Sequence, residues 1–339
     1  MKPLRILSLA CCALVILPMQ SNFAGEGLFS LNRIFSGGDD ASCIENCCDD
    51  ENCVDGNCLL DGCTDSYKSD KLFGFIRPTS AEFSDFISPM SNPVYFEDPR
   101  NLSEIHFFYL NQQIPGGAFG GTLNVLAAQI RVSLTENLSL VASKDGFITS
   151  SNPLINDGWA DVQAGLKYNI IQDADTGNLL SAGFAYMMPV GSNQSLQGSN
   201  GDGEFHLYVS GGKRIGDNGH YLTSTGFRLP ANAALGSKMW YWSQHVDYKV
   251  TKKFYLLTEL NWFSWFQGGN NGALPTIEGG DLINLGSNDV AGNNIFTAAF
   301  GGKMRVSGLS EVGIAYEIPL SSRNDLLENR LTVDYNLRF

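Results

Sequence analysis

No apolar run in this 339-residue chain reaches 18 residues, and mean hydropathy is −0.07, so no segment can cross a bilayer as a helix. Spanning by strands survives that exclusion, because lipid-facing and inward residues alternate and dilute one another's hydropathy. Basic charge is scarce, with 22 Lys and Arg against 35 Asp and Glu and a net charge of −13. No basic stripe is present to neutralise phosphates, which argues against nucleic acid as a partner. Paired CxxC units, EF-hand spacing, a phosphate-cradling glycine loop and a nucleophile elbow are all missing, so the sequence points to no metal, no cofactor and no enzyme. Glycine is abundant at 37 residues, which suits strands and tight turns better than helices.

The first residues read as a secretory signal over 1–24. Lys2 and Arg5 supply the charged region, residues 6–17 the apolar core, and Pro18 breaks it, with cleavage expected after Ala24. Asn22 is large for the position three before that cut. Ala10-Cys11 faintly suggests a lipoprotein signal, but Ser8 stands where an aliphatic residue belongs.

Residues 25–70 form a separate module. Eleven acids stand there against Arg33 and Lys68, a net of −9, so most of the negative charge is local. Cys43, Cys47, Cys48, Cys53, Cys58 and Cys63 are interleaved with these acids. An exported segment this short builds little core, and an even cysteine count in an oxidising compartment implies disulfides. Six cysteines allow 15 pairings, and the sequence does not choose among them. Residues 71–101 are aromatic and proline-broken, with Pro78, Pro89, Pro93 and Pro99, and read as extended and irregular. The run Phe83-Ser84-Asp85-Phe86-Ile87-Ser88-Pro89-Met90 and its continuation to Pro99 suit a plug inside a pore or a connector beneath it.

From residue 102 onward the pattern is strand, turn, strand, loop. Twelve strands are predicted near 103–113, 121–134, 137–148, 160–171, 178–189, 203–214, 220–229, 238–250, 252–266, 294–305, 310–319 and 329–339. Their connections alternate between short turns and long loops, the longest being 267–293. Short turns on one rim and long loops on the other describe an antiparallel up-and-down barrel, and an even strand count returns the chain to the short-turn rim. The faces alternate as well: Val312, Ile314, Tyr316 and Ile318 oppose Glu311, Gly313, Ala315 and Glu317.

The hairpin 238–266 carries more information. A turn centred on Thr251 would set Tyr248 opposite Phe254 and Trp240 opposite Trp262, all on the apolar side. Those two aromatic pairs would lie roughly 20 Å apart along a tilted barrel, close to the ~25 Å between the aromatic girdles of a membrane-spanning barrel. Trp240, Tyr248, Phe254 and Trp262 are therefore candidate girdle aromatics. The opposite faces carry both signs of charge. Arg131, Lys167, Glu204, Arg228, Asp247, Lys249, Glu259, Lys303, Arg305, Glu311, Glu317 and Asp334 are candidates to line the lumen, with Arg305 and Glu311 expected as neighbours. Ser243, His245 and Asp247 share one strand face, but Cα atoms about 6.5–7 Å apart along a strand do not make a triad. His206 beside Glu204 reads as a pair on the lumen wall.

At the C-terminus, Leu331, Val333, Tyr335, Leu337 and Phe339 are apolar and the residues between them polar. This resembles the last strand of bacterial outer-membrane β-barrels, in which a terminal Phe and alternate apolar residues form the assembly signal; Tyr335, Leu337 and Phe339 occupy those positions. The resemblance to porin-like outer-membrane proteins covers 102–339 by architecture and this signature. It implies an all-β transmembrane barrel of about 12 strands in the outer membrane, with residues 25–70 in the periplasm. Its partners would be membrane lipid, the barrel-assembly machinery and small solutes passing through. The alternative is an anchoring envelope protein whose barrel holds the cysteine-rich module for a periplasmic or envelope partner.

Overall fold

A computed structural model describes residues 74–192 and 202–339, Leu72, and the backbone of Cys53–Val54 and Asn57–Cys58. The chain divides into units Met1–Cys58 and Leu59–Phe339. In the first, a short antiparallel ladder sets Cys53 opposite Cys58. The expected signal peptide, and Cys43, Cys47, Cys48 and Cys63, lie outside the described residues.

The second unit is a closed antiparallel barrel of twelve strands. They are β1 (Glu104–Gln113), β2 (Thr122–Ser133), β3 in two pieces (Leu138–Lys144 and Phe147–Ser150) and β4 in two pieces (Gly158–Trp159 and Val162–Asp173). There follow β5 (Asn178–Met188), β6 (Glu204–Ile215), β7 (Gly219–Pro230), β8 (Lys238–Lys249), β9 (Phe254–Gln267), β10 (Asn294–Arg305), β11 (Ser310–Pro319) and β12 (Asn329–Arg338). Each strand pairs with its neighbours in sequence, and β12 closes on β1 with Leu337 opposite Ile105 and Tyr335 opposite Phe107. Closure leaves no strand edge unpaired, which a lipid environment requires.

The alternation read from sequence sets the two faces. In β11, Ile314 and Tyr316 point outward and are half exposed, whereas Glu311, Ala315 and Glu317 point inward and are buried. In β9, Tyr255, Leu257, Glu259, Asn261, Phe263 and Trp265 form the inward face.

Two departures from the expected strands have local causes. The strand expected at 137–148 is interrupted at Asp145-Gly146. Gly146 has φ +114, and a Cβ there would lie 2.6 Å from that of Ala127, so only glycine fits. Asp145 Oδ1 accepts from the Ala128 amide at 3.2 Å, replacing a ladder carbonyl.

The β8–β9 register also differs from expectation. Val250 and Thr251 both donate to the Phe254 carbonyl, so the turn is wider than one residue. Tyr248 faces Leu256 rather than Phe254, and Trp242 rather than Trp240 faces Trp262. A slip of two keeps every side chain on its face. Trp240 and Trp262 still touch diagonally, with ring centroids 4.6 Å apart, and Trp262 stacks on Phe296 at 5.1 Å.

Because Ile314 is 55% exposed on the outer face at mid-strand, Ile314→Arg is expected to destabilise the lipid-embedded barrel by about 2–4 kcal/mol. Urea unfolding in lipid vesicles measures this, and Leu320→Arg, equally exposed but past the end of β11, provides the contrast.

Candidate functional site: a lumen filled from both ends

The N-terminal segment enters the lumen from the short-turn rim. A single 3-10 turn, Ala81–Phe83, is capped by Ser80 Oγ, which accepts from the Glu82 amide at 3.3 Å. Every residue of 86–100 is buried. Pro89, Pro93 and Pro99 keep this stretch out of the sheet, because each lacks an amide donor and fixes φ. The chain reverses at Asn92, which has φ 50 and whose carbonyl accepts from the Phe96 amide at 2.9 Å. It then runs back to the rim and into β1.

Buried backbone in such a segment must find partners, and the wall supplies them. The Ser88 amide donates to Glu311 Oε1 at 3.0 Å, and the Met90 and Ser91 amides donate to Glu259 at 2.8 and 2.5 Å. In the other direction Tyr241 donates to the Tyr95 carbonyl at 2.8 Å, Lys167 to the Asp98 and Arg100 carbonyls, and Asn169 to the Pro99 carbonyl at 2.6 Å. Plug charges meet wall charges. Glu97 binds Arg131 at 2.7 Å and Lys167 at 2.8 Å, and Asp85 binds Arg214 at 2.6 Å. Asp98 and Arg100 pair within the plug at 2.6 Å.

The loop 268–293 fills the opposite mouth. Leu274, Leu282, Ile283, Leu285 and Val290 pack on inward Leu110, Val125, Met239, Phe263, Trp265 and Ile295. Arg330 binds Asp281 at 2.7 Å, Arg228 donates to the Gly280 carbonyl at 3.1 Å, and Asn284 donates to Glu204. The inner face is therefore charged towards the short-turn rim, whereas towards the long loops the charged Glu204, Arg228, Glu317 and Arg330 stand beside an apolar cluster. Two of the voids between inserts and wall, one beside Pro93 and Arg131 and one beside Glu278 and Arg330, hold about 10 Å³ each, room for one water at most, and a third at the rim beside Arg100 and Arg338 holds about 90 Å³. Among the described residues, 86–100 and 268–293 fill the lumen.

All twelve lumen candidates stand on the inner face. Lys303 binds Asp334 at 2.6 Å and lies 3.4 Å from Glu311, Glu317 binds Arg330 at 3.3 Å, and Lys249 is part-exposed at the rim. Arg305 stands opposite Glu311 in register but donates to the Phe86 carbonyl at 3.1 Å, while Glu311 pairs with Arg338 at 3.0 Å. His206 does not pair with Glu204; it lies 2.9 Å from the Tyr241 hydroxyl. Two further histidines meet carboxylates. His106 lies 2.9 Å from Asp334, and His220 lies between Asp85 and Asp247.

His245 meets Asp247 and Glu259, while Ser243 accepts from Asn92, so the three residues do not form a nucleophile–base pair. Tyr248 and Phe254 face outward at 58% and 38% exposure. Trp240 and Trp262 face outward too, their indole nitrogens donating to Thr225 and Asn294. At the C-terminus, the Phe339 amide donates to the Ser103 carbonyl and its carbonyl accepts from the Thr79 amide at 2.8 Å. What sequence reasoning missed is the plug's own ionic set. Glu97, Asp98 and Arg100 in an oily, proline-broken run were its visible signal, since charges in such company need buried partners.

This architecture defines a transmembrane β-barrel of the outer-membrane type. Its fold is similar to that of an outer-membrane channel from Pseudomonas putida F1, with a TM-score of 0.52 and 13% identity over 75% of this chain and 100% of that one. The NanC porin (TM-score 0.45, 12% identity, 70% of this chain and 100% of that one) and the KdgM porin (0.44, 11%, 70% and 99%) are more distant solved barrels. No protein-family profile and no curated protein matches the sequence.

On the loop 320–328, Asp325 holds the outer insert. Its carboxylate accepts from the Glu278 amide at 2.9 Å and binds Arg323 at 2.9 Å. Burial pushes this carboxyl up to about 6 against the pull of Arg323. A raised folded-state pKa means a stabilisation fully present below the ordinary value near ~3.9 and lost as pH rises through about 6. Asp325→Asn keeps the acceptor and tolerates the positive φ of 47. It is expected to slow exchange of the Glu278 amide at pH 7.5 by roughly 1–2 kcal/mol, and to leave it unchanged near pH 4.

Proposed function

We propose that the protein is a porin-like outer-membrane channel for small solutes, closed here by its own N-terminal segment and its long outer loop. The observation that carries this reading is how the plug is held. Among the described residues it joins no strand ladder of the barrel, lying in the lumen on individual polar contacts such as those of Ser88 with Glu311 and of Met90 and Ser91 with Glu259. Withdrawal of 83–100 would uncover Lys167, Glu259, Lys303 and Glu311, all fully buried here, as a hydrated charged constriction. On this reading the chain binds no cofactor and is no enzyme: its lumen residues select and hold rather than catalyse.

The same reading assigns the remaining parts. Residues 1–24 export the chain, and 25–70 lie in the periplasm, closed by disulfides among Cys43, Cys47, Cys48, Cys53, Cys58 and Cys63. Tyr335, Leu337 and Phe339 address the assembly machinery, and Trp240, Tyr248, Phe254 and Trp262 sit at the membrane interfaces. A second reading has one observation in its favour. Residues 77–79 are clasped to the rim, with the Arg77 amide donating to the Ser133 carbonyl at 2.9 Å and its guanidinium 3.2 Å from Glu136. Such a clasp suits a barrel that anchors a periplasmic module for an envelope partner.

Single-channel recording in planar bilayers decides between them. The mature protein is expected to be mostly silent, and removal of both 25–100 and the outer insert 270–292 to give steady conductance steps. Glu259→Ala in the barrel lacking 270–292, which takes away the acceptor of the Met90 and Ser91 amides, is expected to give intermittent steps. Silence in all three, with insertion demonstrated, would leave the anchor reading in front.

A further inference from the structure

Five side chains form an unbroken line from the plug into the wall. Asp85 Oδ2 lies 3.0 Å from His220 Nε2, and His220 Nδ1 lies 2.7 Å from Asp247 Oδ1. Asp247 Oδ2 lies 3.1 Å from His245 Nε2, and His245 Nδ1 lies 2.6 Å from Glu259 Oε1. Glu259 then takes the plug's Met90 and Ser91 amides. The line thus begins and ends on the plug. His220, Asp247, His245 and Glu259 are each 1% exposed or less, and Asp85 sits at the rim.

A carboxylate only accepts, and each ring nitrogen of both histidines faces one. Both imidazoles must therefore donate from both nitrogens, which only imidazolium does. The charges then cancel: Asp85, Asp247 and Glu259 against His220, His245 and Arg214, the last being bound to Asp85. The remaining neighbours do not upset this. Tyr255 of β9 offers its ring to His220 at 6.3 Å, Phe86 of the plug offers its ring at 4.5 Å, and Arg305 of β10 lies over Tyr255 and donates to the Phe86 carbonyl. The His220 imidazole and Arg214 outweigh burial and hold the Asp85 carboxyl well below its ordinary range, so Asp85 stays ionised at neutral and alkaline pH.

We propose that this line is a proton-operated latch, in which His220 and His245 hold the plug while both are charged and release it when they lose their protons. A neutral imidazole donates from one nitrogen only. Loss of each proton removes one imidazole donor, sets a ring lone pair against a carboxylate oxygen and strips one positive charge from the line. Asp85 and Asp247 then repel across a ring that no longer bridges them. Glu259, without His245, holds two amides as an isolated buried anion. The latch deepens the channel reading and rests on the plug being the closing element, so its test needs a readout that does not depend on conduction.

Trypsin cleavage after Arg100, which is 2% exposed in the plug, gives that readout. The full-length protein in detergent micelles is digested between about pH 6.5 and 9.5, and the rate is normalised to a peptide spanning Arg100-Asn101. Once the histidines begin to titrate, cleavage is expected to rise about tenfold per pH unit for each proton released. The double variant H220Q/H245Q should be cleaved rapidly at every pH. Because two buried substitutions can upset folding, Asp85→Asn at the part-exposed rim serves as the second variant. It removes one of the two carboxylates on His220 and should move the onset of cleavage down by about one pH unit.

Cleavage that does not change with pH, or an onset that Asp85→Asn leaves in place, overturns the latch. Bilayer recordings over the same pH range separate the two proposals. Cleavage that rises with pH while even the barrel lacking both 25–100 and 270–292 stays silent keeps the latch and removes the channel. Conductance in that barrel, with pH-independent cleavage in the full chain, keeps the channel and removes the latch.

Discussion

Burial of charge inside a narrow barrel is the constraint from which the rest of this structure follows. Twelve strands enclose too little space for a broad water column, yet the inner face carries Lys167, Glu259, Lys303, Glu311 and Asp334 at 2% exposure or less. Each desolvated ion must be paired or hydrogen-bonded, and leaving one uncompensated costs about 3–5 kcal/mol. The wall does not meet this demand by itself. Glu311 needs the Ser88 amide as well as Arg338, and Lys167 needs Glu97 and two plug carbonyls. The plug in turn has buried amides that only the wall can satisfy. Wall and plug are complementary because each, alone, is under-satisfied.

The outer half solves a different problem with the same geometry. There the inward residues are Leu110, Val125, Met239, Phe263 and Trp265, and what covers them is an apolar loop. Burial of that surface is worth about 25 cal/mol per Å², without the directionality of the ionic half. The two inserts meet near Tyr95, whose ring stacks on Tyr241 at 5.5 Å. The lower closure rests mainly on charge, while the upper one joins an apolar cluster to the Arg330–Asp281 pair and the Asp325 carboxyl.

The barrel was legible because its signals are local. A period of two, short turns and a closing pair of strands are written within each dozen residues, and strands such as 294–305 and 310–319 fall where they were expected. The β8–β9 register was not legible, because a slip of two changes no face and so leaves no trace in the alternation. The break at Asp145-Gly146 depends on Ala127 in the neighbouring strand, and no window around 145 contains it. The plug's route was visible only as an oily run with stray charges. Its choice of the lumen depends on acceptors such as Glu259 and Glu311, more than a hundred residues away in sequence. Arg305 and Glu311 illustrate the same limit: register set them opposite, but the plug's Phe86 carbonyl took the arginine.

The clasp at the rim sets an order of events. The Thr79 amide bonds the carbonyl of Phe339, the Arg77 amide bonds Ser133 at the end of β2, and Thr79 and Ser103 bond each other. The β1–β2 hairpin alone brings Ser103 and Ser133 together, but Phe339 joins them only once β12 has zipped onto β1. Until then, the receptor for residues 77–79 is incomplete. The segment made before the barrel is therefore fully clasped only after the barrel is closed, and the finished clasp is a receipt for a finished wall.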